Sequence, residues 1–353
     1  MKKRMAVCIG LLSGVLALAA SPEGGGAKAP PADPNVGKPA PVLNVKEWVA
    51  GTGVAAADLK DRAYVVEFWA TWCPPCRKSI PHLVDLAQRV MPLGVPIIGL
   101  SSEEITKIRP FAEKNGMLYH VGVDGGTSGV DHDGIPFATV IGNDGRIAWA
   151  GHPMDPAFEA AVFAAGEAAR PDWKPLFALA RAGKLGALRG ELAKGDSPDH
   201  KAGVAMIDAF SSRQMEMAAK AEGLSPLHIC QAVAEHYAGL PVAEQAAKKI
   251  EVLKADPAVK VALANEEALV QLDSKVDELR QRVLAKEAEG MKTKDCEKMF
   301  LAGLNDLLVA FVKAHPQHPD VPDIQKSVEK IQTQLGNAAA GPDRPANKDA
   351  AKP

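Results

Sequence analysis

The chain has no excess of either charge: 41 Lys and Arg stand against 43 Asp and Glu, a formal net charge of −2. Phosphate recognition wants clustered cations, so this balance gives no sign of a nucleic-acid binder. Long apolar runs are scarce as well. The run Met5–Ala20 follows Lys2, Lys3 and Arg4, is shorter than the ~20 residues that span a bilayer comfortably, and holds Ser13 and Gly14. Its layout is that of a secretory signal ending in small residues, which predicts export, with cleavage near Ala20 or, alternatively, an uncleaved anchor. Cysteine is sparse: Cys8 falls inside the apolar run, leaving Cys73, Cys76, Cys230 and Cys296. Cys73 and Cys76 have no second pair of ligands at zinc spacing, so no metal is expected and redox chemistry is the better reading.

What the chain does have is 353 residues, 47% of them hydrophobic, enough for more than one packed core. The segment Val65–Arg77, Val-Val-Glu-Phe-Trp-Ala-Thr-Trp-Cys-Pro-Pro-Cys-Arg, reads as an apolar strand that breaks into a helix beginning at the two cysteines. A thiol at a helix N-terminus sits among orphan backbone amides and near the positive end of the dipole, which stabilises its thiolate. Cys73 is therefore the expected nucleophile, and Cys76, one turn further and facing inward, the resolving thiol. A structural staple is a poor alternative, because a two-residue loop restrains the unfolded chain little. Glu67 stands in a strand otherwise built of Val, Val, Phe and Trp. Burying a carboxylate there raises its pKa, so the residue needs a reason.

The run Phe68–Arg77, together with Val36-Gly37-Lys38-Pro39-Ala40-Pro41 upstream, resembles the TlpA/ResA-like thiol-disulfide oxidoreductases of the thioredoxin superfamily over about residues 36 to 165. The resemblance implies an α/β thioredoxin fold, a central mixed sheet flanked by helices. It also implies that Glu67 shuttles a proton to and from Cys76, that Pro136 is a cis-proline presenting the Ile135 backbone to substrate, and that Trp72 and Pro74 border the same surface. No cofactor beyond a redox-active Cys73–Cys76 disulfide is implied. Expected partners are disulfide-bearing proteins of the periplasm or cell envelope and a membrane thiol reductase as electron donor. The pair Pro74-Pro75 lacks the His that envelope oxidants often place between their cysteines, which favours a reductant. Ser79 stands where many relatives carry a Glu, so this chain lacks the acid on which such a specificity is built. The peroxidases of this fold hold peroxide with a Pro and a Thr or Ser where this chain has Val66 and Ala70, which argues against that chemistry.

Along the chain, 1–20 is read as signal peptide, 21–41 as a flexible Gly/Pro/Ala-rich linker, 42–168 as the thioredoxin-like domain, 171–336 as an all-α domain and 337–353 as a disordered tail. Strands are predicted near 63–69, 95–100, 119–123, 137–141 and 146–150, and helices near 74–90 and 105–115. Ser225 to Pro257 is similar to one tetratricopeptide-like unit, with Ala234, Tyr237 and Ala246 at packing positions. Such helices bind peptides, so the helical half has a possible peptide or protein partner, and a binding adaptor is the rival to an enzyme. Leu269, Leu272, Val276, Leu279 and Val283 fall on one seam of a long helix, expected to pack internally. Cys230 and Cys296 are either a disulfide or, by the favoured reading, two buried thiols.

Overall fold

The computed structural model describes residues 33–51 and 53–339, with side chains as far as 336. The signal-peptide expectation lies outside these residues. Among them, no helix is long and apolar enough to cross a membrane.

A six-stranded mixed sheet forms from β1 (Val45–Ala50), β2 (Tyr64–Phe68), β3 (Ile97–Ser101), β4 (His120–Asp124), β5 (Phe137–Ile141) and β6 (Ile147–Gly151), in the order β1-β4-β3-β2-β5-β6. The central strands β4, β3 and β2 run parallel, and β1, β5 and β6 pair antiparallel to their neighbours. β2 and β3 are fully buried and apolar apart from Glu67 and Ser101, as suits strands covered on both faces. Helix α1 (Pro74–Val90) follows β2, α2 (Ile105–Lys114) connects β3 to β4, and α3 (Pro156–Ala169) follows β6. Ring contacts of Phe158 with Trp149 and His82 place α3 and α1 together on one face of the sheet. Pairing register puts Val65, Glu67, Ile97, Gly99, Ala138 and Val140 on that same face. The opposite face carries Tyr64, Val66, Phe68, Ile98 and Leu100, with Leu43, Trp48 and Val130 packed against it. This is the thioredoxin-like architecture expected, with β1 as a strand the sequence pattern did not announce.

Three boundaries differ from the expectation. Residues 33–41, read as part of a flexible linker, are docked: Gly37 and Ala40 donate backbone hydrogen bonds to Ile147 and Gly145, and Ile147 donates back to Lys38. Asn35 is fully buried, its amide donating to the Asp131 carbonyl at 2.6 Å and accepting from the Asp131 N–H. These bonds use backbone groups, so Gly/Pro/Ala composition does not reveal them.

The compact units divide at Asp256/Pro257 and not near Arg170. Helices α4 (Lys174–Arg181), α5 (Leu185–Leu192), α6 (Pro198–Lys220), α7 (Ser225–His236) and α8 (Pro241–Ala255) belong to the unit that contains the sheet. Gly203 lets α6 close on the turn after α1, since a Cβ there would meet the Pro92 carbonyl at 2.5 Å. The buried Gln88 of α1 accepts from Tyr237 Oη at 2.8 Å and from the Gln214 amide. α7 and α8 form an antiparallel hairpin with Tyr237 and Ala246 buried, and its tetratricopeptide-like character stays a resemblance.

The second unit comprises α9 (Pro257–Ala288), α10 (Thr293–Ala314) and α11 (Val321–Ala339). The seam Leu272, Val276, Leu279 and Val283 is buried against Phe300, Leu304 and Leu308 of α10 and Ile324, Val328 and Ile331 of α11, with Leu269 at its margin. The helix-on-helix reading therefore holds. α11 runs to Ala339, past the predicted start of the tail at 337. Cys230 and Cys296 are both buried free thiols.

Candidate active site

Cys73 caps α1. Its extended backbone ends the approach from β2, and Pro74 and Pro75 occupy the first helical positions, where a missing N–H costs nothing. The cysteines form a disulfide with an S–S distance of 2.10 Å. Cys73 Sγ accepts from the Cys76 backbone N–H at 3.2 Å, the orphan-amide contact that would stabilise a thiolate after reduction. Only 2% of Cys73 and none of Cys76 is exposed, so what solvent access the disulfide has lies at the first cysteine.

The Ile135–Pro136 peptide is cis, and the Ile135 carbonyl oxygen lies 3.6 Å from Cys73 Sγ. Trp72 is 66% exposed beside the disulfide, Pro74 is exposed, Ile135 is half-buried and Pro136 is buried. The loop before Cys73 is braced by Glu103, whose carboxylate accepts from the Thr71 N–H at 2.5 Å and the Thr71 hydroxyl at 2.8 Å. Ser79 is buried and donates to the Cys76 carbonyl at 2.9 Å, so it braces the helix from inside.

Glu67 is fully buried on the sheet face that α1 covers, with neither carboxylate oxygen hydrogen-bonded to the protein. Burial pushes its pKa up to about 8, the direction a neutral environment imposes on a carboxyl group. It is thus poised to gain or lose a proton near neutrality. The structure brings Cys73, Cys76, Ile135 and Pro136 together and sets Glu67 beneath α1. Three residues here were not singled out in sequence: Trp69 and Tyr119, whose Nε1 and hydroxyl are also buried without partners, and Glu103. The signal for Tyr119 was its rarity, one of 3 tyrosines, but its place beside Glu67 depends on strand register.

Comparison with known proteins fits this geometry. A family model described as AhpC/TSA matches residues 36–148. The thiol-disulfide oxidoreductase ResA of Bacillus thuringiensis is 30% identical over 116 residues, 32% of this chain and 66% of that protein. The thiol:disulfide interchange protein HelX of Rhodobacter capsulatus is 33% identical over 127 residues, 33% of this chain and 70% of that one. This chain belongs to the thiol-disulfide oxidoreductase family. It spans about two thirds of the length of these relatives, and most of its own length has no counterpart in the matched regions. A solved thiol:disulfide interchange protein of the thioredoxin family from Chlorobium tepidum is 28% identical, covering 40% of this chain and 99% of that one, with a TM-score of 0.32. Within the family, this site has no peroxide-holding hydroxyl at Val66 or Ala70, and Val66 lies in the core.

Proposed function

We propose that the protein is an exported thiol-disulfide exchange catalyst that reduces disulfides in proteins of the periplasm or cell envelope. The observation that carries this is the Cys73–Cys76 disulfide at the α1 N-terminus, with Cys73 Sγ facing both the Cys76 amide and the Ile135 carbonyl. The reduced Cys73 thiolate attacks one sulfur of a substrate disulfide, forming a mixed disulfide and releasing a substrate thiolate. Cys76 then gives its proton to ionised Glu67, attacks Cys73 Sγ and expels the second thiolate, leaving Cys73 and Cys76 oxidised and the substrate reduced by two electrons. A membrane thiol reductase recharges the pair. Trp72, Pro74, Ile135 and Pro136 form the surface on which an extended substrate segment lies, pairing with the Ile135 backbone. The signal-like N-terminus and the relatives' names support export and exchange, and the uncharged Pro74-Pro75 supports the reductive direction.

Insulin-disulfide reduction with dithiothreitol as electron source tests the assignment. Cys73→Ser should abolish turnover, and Cys76→Ser should accumulate a mixed disulfide that is visible on non-reducing gels. Turnover that survives Cys73→Ser refutes it.

A further inference from the structure

Beneath α1, three side chains end in polar atoms that are shielded from solvent and unpaired: both oxygens of Glu67, Nε1 of Trp69 and the hydroxyl of Tyr119. The three side chains meet at Gly99 without hydrogen-bonding to one another. A Cβ built on Gly99 would stand 2.9 Å from Tyr119 Cε2, 3.1 Å from Trp69 Nε1 and 3.3 Å from Glu67 Oε2. Only glycine at 99 leaves the three room to meet, and their chemistry is complementary: two N–H or O–H donors around one carboxylate acceptor.

We propose that Tyr119, assisted by Trp69, is a positioning residue of the exchange reaction, donating to the ionised Glu67 carboxylate so that it can take the proton of Cys76. This rests on the reading of Glu67 as that proton acceptor. Burial alone keeps Glu67 largely protonated at pH 7, and a protonated carboxyl cannot accept from Cys76. Donors aimed at the charged form oppose this, and Tyr119 is a dependable one: burial, and secondarily the Glu67 charge, hold its phenol well above its usual pKa. Of the titratable groups on this face, Tyr119 from the lead-in to β4 is the one whose pKa responds to Glu67; α1 and α3 also carry His82, Asp85, Arg89 and Glu159, with Arg89 bonded to both acids. β3 and β5 contribute Gly99 and Ala138 opposite Glu67, and α2 contributes Phe111, 5.5 Å from the Trp69 ring.

The experiment follows the Cys76-dependent release of a mixed disulfide against pH in the full-length reduced protein, with glutathione disulfide as probe. Removing one donor to a charged carboxylate should raise the apparent pKa of this step by about one unit or more in Tyr119→Phe, with Trp69→Phe moving it the same way. In a Glu67→Gln background, Tyr119→Phe should cause no further shift, a coupling that a purely structural role would not produce. A Tyr119→Phe profile superimposable on the parent, or a shift that persists in Glu67→Gln, overturns the proposal. If Glu67→Gln itself leaves the profile unchanged, the Glu67 reading fails and takes this one with it. Should Tyr119→Phe not fold, Gly99→Ala carries the test, since its Cβ drives Tyr119 and Trp69 away from the carboxylate and should shift the profile upward too.

Discussion

Replacing Glu67 by Gln should stabilise the oxidised protein, and the gain should depend on pH. Between the usual carboxyl pKa of 4.5 and the value near 8 imposed by burial, the native state holds a proton that the unfolded chain has lost. Native stability therefore falls as pH rises through this window and levels off above 8. Working the linkage through for those two pKa values gives a cost at pH 9 about 4 kcal/mol larger than at pH 5. Glu67 is fully buried, so solvent screening does not reduce that figure. Gln keeps the shape and removes the titration. Whatever the amide itself gains or loses in the pocket cancels in the difference between the two pH values. Urea unfolding followed by tryptophan emission reports the right transition, because all 5 tryptophans, Trp48, Trp69, Trp72, Trp149 and Trp173, lie in the unit that holds the sheet. A parent whose stability is flat between pH 5 and 9, or a Gln variant with the same gain at both, would show that Glu67 is not buried as a proton-holding acid.

Glu103→Ala removes the acceptor of the Thr71 N–H and hydroxyl, and should slow insulin reduction several-fold as the loop before Cys73 loosens, with about 1–3 kcal/mol lost in urea unfolding. Tyr237→Phe leaves Gln88 with the Gln214 donor alone and should lower stability by about 1 kcal/mol in the same fluorescence assay; no loss would mean that the contact does not hold α7 to α1. Arg89 forms a two-pronged bond to Glu159 and a third to Asp85, so Arg89→Leu should cost about 2 kcal/mol at pH 7, both acids being partly open to water. Arg89 holds the Glu159 pKa down, so this loss should shrink as pH falls through the carboxylate range, which the same unfolding series at pH 3 to 7 measures.

The reaction centre was legible because its chemistry is local in sequence. Two cysteines, two prolines and an apolar strand specify the turn, the helix start and the disulfide pair without help from distant residues. Glu67 was legible because a carboxylate amid Val, Phe and Trp contradicts its surroundings. Tyr119 and Gly99 were not, since their meeting with Glu67 follows from the parallel pairing of β2, β3 and β4, a register that no single segment encodes. The boundary at Arg170 misled for a related reason. The residues that follow shift to almost pure helix with few aromatics and so read as a separate body, yet they seat on α1 through Gln88, a polar side chain buried between the helices. β1 was missed because Val-Lys-Glu-Trp-Val-Ala carries two charges and none of its residues is fully buried.

The seat of Tyr237 on Gln88 also determines how the protein can be divided. A fragment ending near residue 168 would leave Gln88 and the turn at Pro92 bare on the flank of the helix whose first turn carries both reactive sulfurs. The compact unit that holds that helix together with its cover ends at Asp256. Grafting this catalytic head onto another tail, or exchanging it with a minimal redoxin, calls for a splice at Asp256/Pro257 rather than at the point where the composition changes.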